Sequence, residues 1–331
     1  MSTPPPRRAS AAVASPTAPL IGLGAGAPVL AFDVGGTDIK GALFGEDGHI
    51  RCLARIPTPV AGDRTGQAVI AEIVNLAGRF AEVQPSVNPR ALGLVVPGHI
   101  DTRSGTAVFA ENMGWKDVAF RERVSALTGL PVHFGHDVRA AGGAEFRLGA
   151  ATGLRDVVVV VIGTGIAGAL FVDGRPYDGD GLAGEIGHAK VASGPTCACG
   201  GTGCLEAVAS AAAIARRYSA LTGAQVAGAK EVLDRSQAGD PDAKLVWKDA
   251  VDALALSFSH VVALLAPEAI VVGGGLAEAG PALLSPLTAR LDEYLTFQRR
   301  PRILAARLGE NAGLLGAAIG ARELMVAGGT R

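Results

Sequence analysis

The chain has 331 residues, 49% of them hydrophobic, and its 30 Lys and Arg against 31 Asp and Glu leave a formal charge of −1 at pH 7. Without a basic patch or Arg-rich run there is no case for a nucleic-acid partner, and no apolar stretch reads as a membrane span. Four cysteines are too few for a disulfide scaffold, and three of them lie close together, which fits a reduced, cytoplasmic protein.

Residues 1–28 are rich in Pro, Ala, Ser and Gly and are expected to form a disordered tail. Pro16 and Pro19 break the apolar run that a signal peptide would need. The run VLAFDVGGTDIKGALF predicts a strand over Val29 to Phe32, a tight turn over Asp33 to Thr37, and a returning strand over Ile39 to Phe44. A helix is expected at about Thr65 to Phe80, a strand in ALGLVVPG, and a second helix from after Trp115 to about Thr128. Next, Pro131 to Phe134 read as a strand that leads through Gly135-His136-Asp137 into an Ala/Gly-rich helix.

The second half repeats the opening pattern. DVVVVVIGTGIAGALFVDGRP places Gly163-Thr164-Gly165 between two apolar strands, and the repetition implies two related halves. Helices are expected from Ala207 to Leu221 and from Ala243 to Leu265, the latter after an Asp240-Pro241 turn. A third glycine loop, Gly273-Gly274-Gly275, follows a strand at Ile270 to Val272 and is expected to open a helix with amides free to face a ligand. This alternation makes the chain an α/β protein with mixed sheets in two domains.

The densest chemistry lies in GEIGHAKVASGPTCACGGTGCLE, from Gly184 to Glu206. Cys197, Cys199 and Cys204 have C-x-C-x4-C spacing, and His188 lies nine residues before Cys197. One Gly-rich loop could therefore close four N/S donors around a tetrahedral zinc ion. Four protein ligands leave no position for water, so such a zinc is structural. It would also fix the neighbouring carboxylates Glu185 and Glu206 for a polar ligand.

Single glycine turns are weak signals, but three together, with Asp33 at a strand end and Thr37 beside Gly35 and Gly36, combine the parts of a Mg-nucleotide phosphate cradle. Neither GxxxxGK[ST] nor a helix-opening GxGxxG is present. Asp137 has two readings, a helix N-cap and a reacting carboxylate.

Together these motifs resemble the ROK family of sugar kinases, a glucokinase-like group of the actin-like ATPase superfamily, over Val29 to about Leu324. DVGGTDIK is similar to its first phosphate motif, VVPGHID to its sugar-loop strand, IGTGIAGAL to its second phosphate motif, and GEIGH with CACGGTGCLE to its zinc signature. The resemblance implies a two-lobed, ribonuclease H-like α/β fold with mixed sheets and an inserted zinc loop. The lobes would be residues 29–134 plus 310–331, and residues 135–309. It implies ATP, Mg and structural zinc as cofactors, and phosphorylation of a hexose, at the 6-hydroxyl of glucose or a related sugar.

It also implies roles for individual residues. Asp137 would accept the sugar hydroxyl proton. Gly98, Asn112, His136, Glu185, His188 and Glu206 would line the sugar. Asp33, Gly35, Gly36, Thr37 and Lys40, with Gly163, Thr164 and Gly165, would serve the phosphates and Mg, and Gly273, Gly274 and Gly275 the adenosine. His136 stands where the family usually has Asn, so sugar identity stays open. A homodimer or homotetramer is expected. The alternatives are a silent sugar-binding protein and, less favoured, a repressor, because only 28 residues precede the first strand.

Overall fold

The first apolar run forms strand β1 (Val29–Val34) in a computed structural model that describes residues 22–328. Its strand continues two residues beyond the expected Phe32, so Asp33 lies within the ladder. β2 (Asp38–Phe44) returns antiparallel, with Asp33 opposite Lys40, and β3 (Ile50–Pro57) adds an antiparallel edge. Helix α1 (Thr65–Val83) turns Val69, Ile73, Leu76 and Phe80 inward at three- and four-residue spacing, and Phe80 stacks on Phe32 of β1 with ring centroids 6.4 Å apart. Burying two such rings contributes about 1.5–3 kcal/mol each to folding. β4 (Ala91–Val96) is buried at every position and pairs parallel with β1, as suits an interior strand.

A small antiparallel sheet follows, formed by β5 (His99–Asp101), β6 (Thr106–Ala110) and β7 (Trp115–Val118). The helix expected after Trp115 is therefore shorter: α2 occupies only Phe120–Thr128. Trp115 and Val118 are buried in the strand, and Asp117 has φ 50°, which no right-handed helix accommodates. β8 (Val132–His136) pairs parallel with β4 and runs straight into α3 (Asp137–Leu148).

The second half repeats this topology. β9 (Val157–Ile162), β10 (Ile166–Val172) and β11 (Arg175–Tyr177) form the antiparallel part. Helices α4 (Leu205–Ala209) and α5 (Ala211–Thr222) replace the single helix expected from Ala207, because Ser210 is extended and its hydroxyl caps α5 by accepting from the Ala213 amide at 3.1 Å. α6 (Ala229–Gln237), which the pattern did not announce, precedes α7 (Pro241–Leu265), whose Asp240 cap accepts from the amides of Asp242 and Ala243.

β12 (Ala269–Gly273) is followed by a 3-10 turn over Gly275–Ala279, not by the α-helix expected there. Gly280, at φ 54°, interrupts the chain before α8 (Pro281–Tyr294). β13 (Arg302–Ala305) and α9 (Ala312–Gly328) complete the chain. The two large sheets have strand orders β3-β2-β1-β4-β8 and β11-β10-β9-β12-β13, the same succession of two antiparallel and two parallel pairings. The internal repeat read from the glycine hairpins is thus a repeat of whole sheets.

The described chain divides into two compact units, one running through Ala141 and resuming at Gly313, the other Gly142–Ala312. Each has its own core. In the first, Phe32, Leu92, Trp115, Phe120 and Phe134 meet; in the second, Leu254 and Phe258 of α7 pack with Ile270 and Val272 of β12 and Leu283 and Leu287 of α8. Of the segment expected to be a disordered tail, residues 1–21 lie outside the described residues, whereas the Leu23 and Gly26 amides bond to Gly48 and Glu46 carbonyls and Arg322 donates to the Ala27 carbonyl. Among the described residues, no helix is long and apolar enough to cross a membrane.

Candidate active site and metal centre

In the first unit the β1–β2 turn carries Asp33, Gly35, Gly36 and Thr37. The Gly35 amide donates to the Asp38 carbonyl at 2.8 Å, and Gly36 and Thr37 face solvent. Asp33, Lys40 and Arg55 are directly opposite one another across β1, β2 and β3, so a carboxylate, an ammonium and a guanidinium follow each other along one face of the sheet. The start of α9 approaches Asp33 so closely that a Cβ on Gly313 would lie 2.5 Å from its Oδ2. Burial, and secondarily the Asp137 charge, push the Asp33 pKa up to about 7, against the opposing pull of Lys40. A divalent cation would relieve that penalty, and a carboxylate at a strand end beside an exposed Gly-Gly-Thr turn fits Mg-nucleotide binding.

Asp137 begins α3 at the end of β8. Its Oδ1 accepts from the next amide, Val138, at 2.7 Å and lies 3.2 Å from His136 Nδ1. The bond to Val138 meets part of the capping role, but burial still holds the Asp137 carboxyl up at about 6. A carboxyl poised just below neutral pH can accept a proton under working conditions, which a solvated N-cap does not require. His136 is largely buried beside it.

Gly98 and Asn112, expected to line a sugar, flank the strands of the small sheet. Gly98, at φ 92°, approaches β6 so closely that a Cβ would sit 2.5 Å from the Phe109 carbonyl oxygen and the Ala110 side chain. Asn112 lies two residues beyond Ala110, on the 3-10 turn Glu111–Met113.

In the second unit Gly163-Thr164-Gly165 joins β9 to β10, with the Gly163 amide donating to the Gly165 carbonyl at 2.9 Å. Glu206 of α4 reaches this hairpin: its Oε2 accepts from the Ile166 amide at 3.0 Å, and a Cβ on Gly165 would lie 2.5 Å from it. The GEIGH segment also packs on β10, Gly168 donating to the Gly184 carbonyl at 2.7 Å. Gly274, at φ 79°, brings the third glycine loop against the Ile162 carbonyl, where a Cβ would be 2.4 Å away. The three glycine segments of this unit therefore converge on the ends of β9 and β10.

The four predicted ligands also converge. One donor atom from each of His188, Cys197, Cys199 and Cys204 lies within 4.8 Å of all the others. Cys199 Sγ and Cys204 Sγ are 3.7 Å apart, as are Cys197 Sγ and His188 Nδ1. A tetrahedron with Zn–S bonds of ~2.3 Å has edges of about 3.8 Å, so the spacing fits zinc. Burial, with the neighbouring thiols, pushes Cys204 up to about 12, a cost to the thiolate that a cation among the sulfurs would remove. His188 Nε2 points instead to Glu185, 3.9 Å from its Oε2, and Cys197 Sγ lies 3.9 Å from Glu206 Oε1. The cluster thus touches both carboxylates that the sequence singles out.

Some contributors were not legible in the motifs. Thr58 donates to the Gly35 carbonyl, Gly313 admits α9 to Asp33, and the Ala211 amide donates to the Gly163 carbonyl. The Pro57-Thr58-Pro59 run was the available signal for the first; the others depend on chain approach alone.

The pattern of the ROK family matches residues 29–323. The glucokinase of Thermotoga maritima is 33% identical over 308 residues, covering 88% of this chain and 96% of the relative. The N-acetylmannosamine kinase of Escherichia coli O127:H6 is 33% identical over 298 residues, covering 88% and 97%. The crystal structure of a ROK family glucokinase from Streptomyces griseus, in complex with glucose and AMPPNP, superposes with a TM-score of 0.74 at 28% identity, covering 89% of this chain and 99% of that one. With the matched region reaching from β1 into α9, and both glycine hairpins and the Cys/His cluster inside it, the chain belongs to the ROK family.

Proposed function

We propose that this protein is an ATP-dependent hexose kinase that transfers the γ-phosphoryl group of ATP to the 6-hydroxyl of glucose or a closely related sugar. The observation that carries this reading is the Asp137 carboxyl at the start of α3, its Oδ1 accepting from the Val138 amide at 2.7 Å, in the same unit as the Asp33 turn. Asp137 orients the sugar hydroxyl and takes its proton late in the transfer. Asp33, Gly35, Gly36, Thr37 and Lys40 position the Mg-phosphate tail. Gly163 to Gly165 serve the phosphates and Gly273 to Gly275 the adenosine. Mg supplies charge neutralisation on the phosphate oxygens. Gly98, Asn112, His136, Glu185, His188 and Glu206 hold the sugar hydroxyls.

Zinc on His188, Cys197, Cys199 and Cys204 is a scaffold. Glu206 links that scaffold to the hairpin through the Ile166 amide, so the metal keeps sugar and phosphate ligands in register. Three cysteines gathered as metal-ligating thiols support a reducing compartment, the cytoplasm, as the proposed location. A homodimer or homotetramer is the proposed assembly, to be read by light scattering.

The alternative of a sugar binder without turnover draws on His136, whose Nδ1 sits 3.2 Å from Asp137 Oδ1 and competes for the base. One experiment separates the two: ADP release with Mg-ATP over glucose, mannose, N-acetylglucosamine and N-acetylmannosamine. Turnover on at least one sugar supports the kinase; sugar binding with no ADP release from any leaves the binder.

A further inference from the structure

Thr58 follows β3 directly, between Pro57 and Pro59, and is buried although polar. The proline after it restricts Thr58 to extended backbone. From there it makes two hydrogen bonds to the β1–β2 turn: its Oγ1 donates to the Gly35 carbonyl at 2.7 Å, and its amide donates to the Thr37 carbonyl at 2.8 Å. These two bonds bracket Gly36 on either side. The described chain has no cis peptide. In a trans peptide the carbonyl of one residue and the N–H of the next point in opposite directions. With the Gly35 carbonyl drawn onto the buried Thr58, the Gly36 N–H is turned the other way, and Gly36 and Thr37 are themselves exposed.

We infer that Thr58 is a positioning residue for phosphate binding: it holds the Gly36 N–H outward, as a donor ready for a nucleotide phosphate oxygen. A Gly-Gly turn without such a brace samples many backbone conformations, and ordering it would fall on the binding step. The inference rests on the proposed role of this turn as the phosphate cradle. It adds a residue outside the turn that fixes the donor geometry before ligand arrives.

The test compares Thr58→Val, which keeps the branched shape and removes the hydroxyl, with Thr58→Ser, which keeps the hydroxyl. Calorimetry on the full chain measures Kd for Mg-AMPPNP and for glucose. Thr58→Val is expected to raise the Mg-AMPPNP Kd about five- to tenfold, the worth of one hydrogen bond, while glucose affinity changes less than about twofold and Thr58→Ser restores nucleotide binding. An unchanged nucleotide Kd in Thr58→Val, parallel loss of both ligands, or no rescue by Ser overturns the inference. A second measurement does not depend on how the variants fold. In wild-type protein labelled with 15N-glycine, the Gly36 amide resonance should shift on addition of Mg-AMPPNP. A Gly36 resonance that stays in place while AMPPNP binds overturns the inference and leaves the kinase reading intact. Wild-type protein that binds no Mg-AMPPNP removes the phosphate cradle itself.

Discussion

If Asp137 is the proton acceptor, the rate should follow its ionisation. A base works deprotonated, so kcat/KM for the sugar should rise with pH and level off above the pKa of the free enzyme. With Asp137 at about 6, roughly 97% is ionised at pH 7.5 and about a tenth at pH 5, so kcat/KM should fall about tenfold between those values at saturating Mg-ATP. Asp137→Asn keeps the size and the bond from the Val138 amide but cannot take the proton, so kcat should fall by about 100-fold or more, ~2.7 kcal/mol of barrier. The same change should lower the Asp33 pKa, because Asp137 is the second cause of its elevation after burial. Coupled ADP-release kinetics from pH 5 to 8.5, with Mg-AMPPNP binding as the control for a folded nucleotide site, measure all of this. A pH profile without a limb near 6, or an Asp137→Asn enzyme within a few-fold of wild type, would return Asp137 to a capping role.

Three further outcomes are expected. Purified protein should carry about one zinc per chain by elemental analysis, and Cys199→Ser should lose both the metal and thermal stability, since metal binding adds to folding free energy; a stable, active, zinc-free wild type refutes the site. Glu206→Ala should weaken sugar affinity while zinc stays bound, because the Ile166 amide loses its acceptor, worth about 1–3 kcal/mol, whereas the four ligands are untouched; unaltered sugar Kd refutes the link. His136→Asn should change the ratio of kcat/KM between hexoses by roughly 1–3 kcal/mol if the imidazole contacts the sugar, and leave every ratio as it was if His136 only packs beside Asp137.

Features set by local spacing were legible in the sequence. Val29 to Phe44 and Val157 to Val172 each place a glycine turn between two apolar runs, and a two-strand hairpin follows from that pattern alone. The ligands His188, Cys197, Cys199 and Cys204 share one short loop, so their identity and spacing suffice to name the ion, and the resemblance to the ROK family follows from these same local motifs. Other features depend on residues distant in the chain. The strand at Trp115–Val118 exists because β6 is there to pair with it, and the pKa of Asp33 rises because folding buries it beside Asp137 with α9 packed close at Gly313. Glu206 reaches Ile166 across 40 residues, and Thr58 reaches Gly35 across 23. Turn chemistry and ligand type are properties of a short window, whereas burial, pairing and the aim of a backbone amide depend on which segments meet. The sequence therefore determined what the site is made of, and tertiary packing decided how its carboxylates are charged and which residues hold its donors in place.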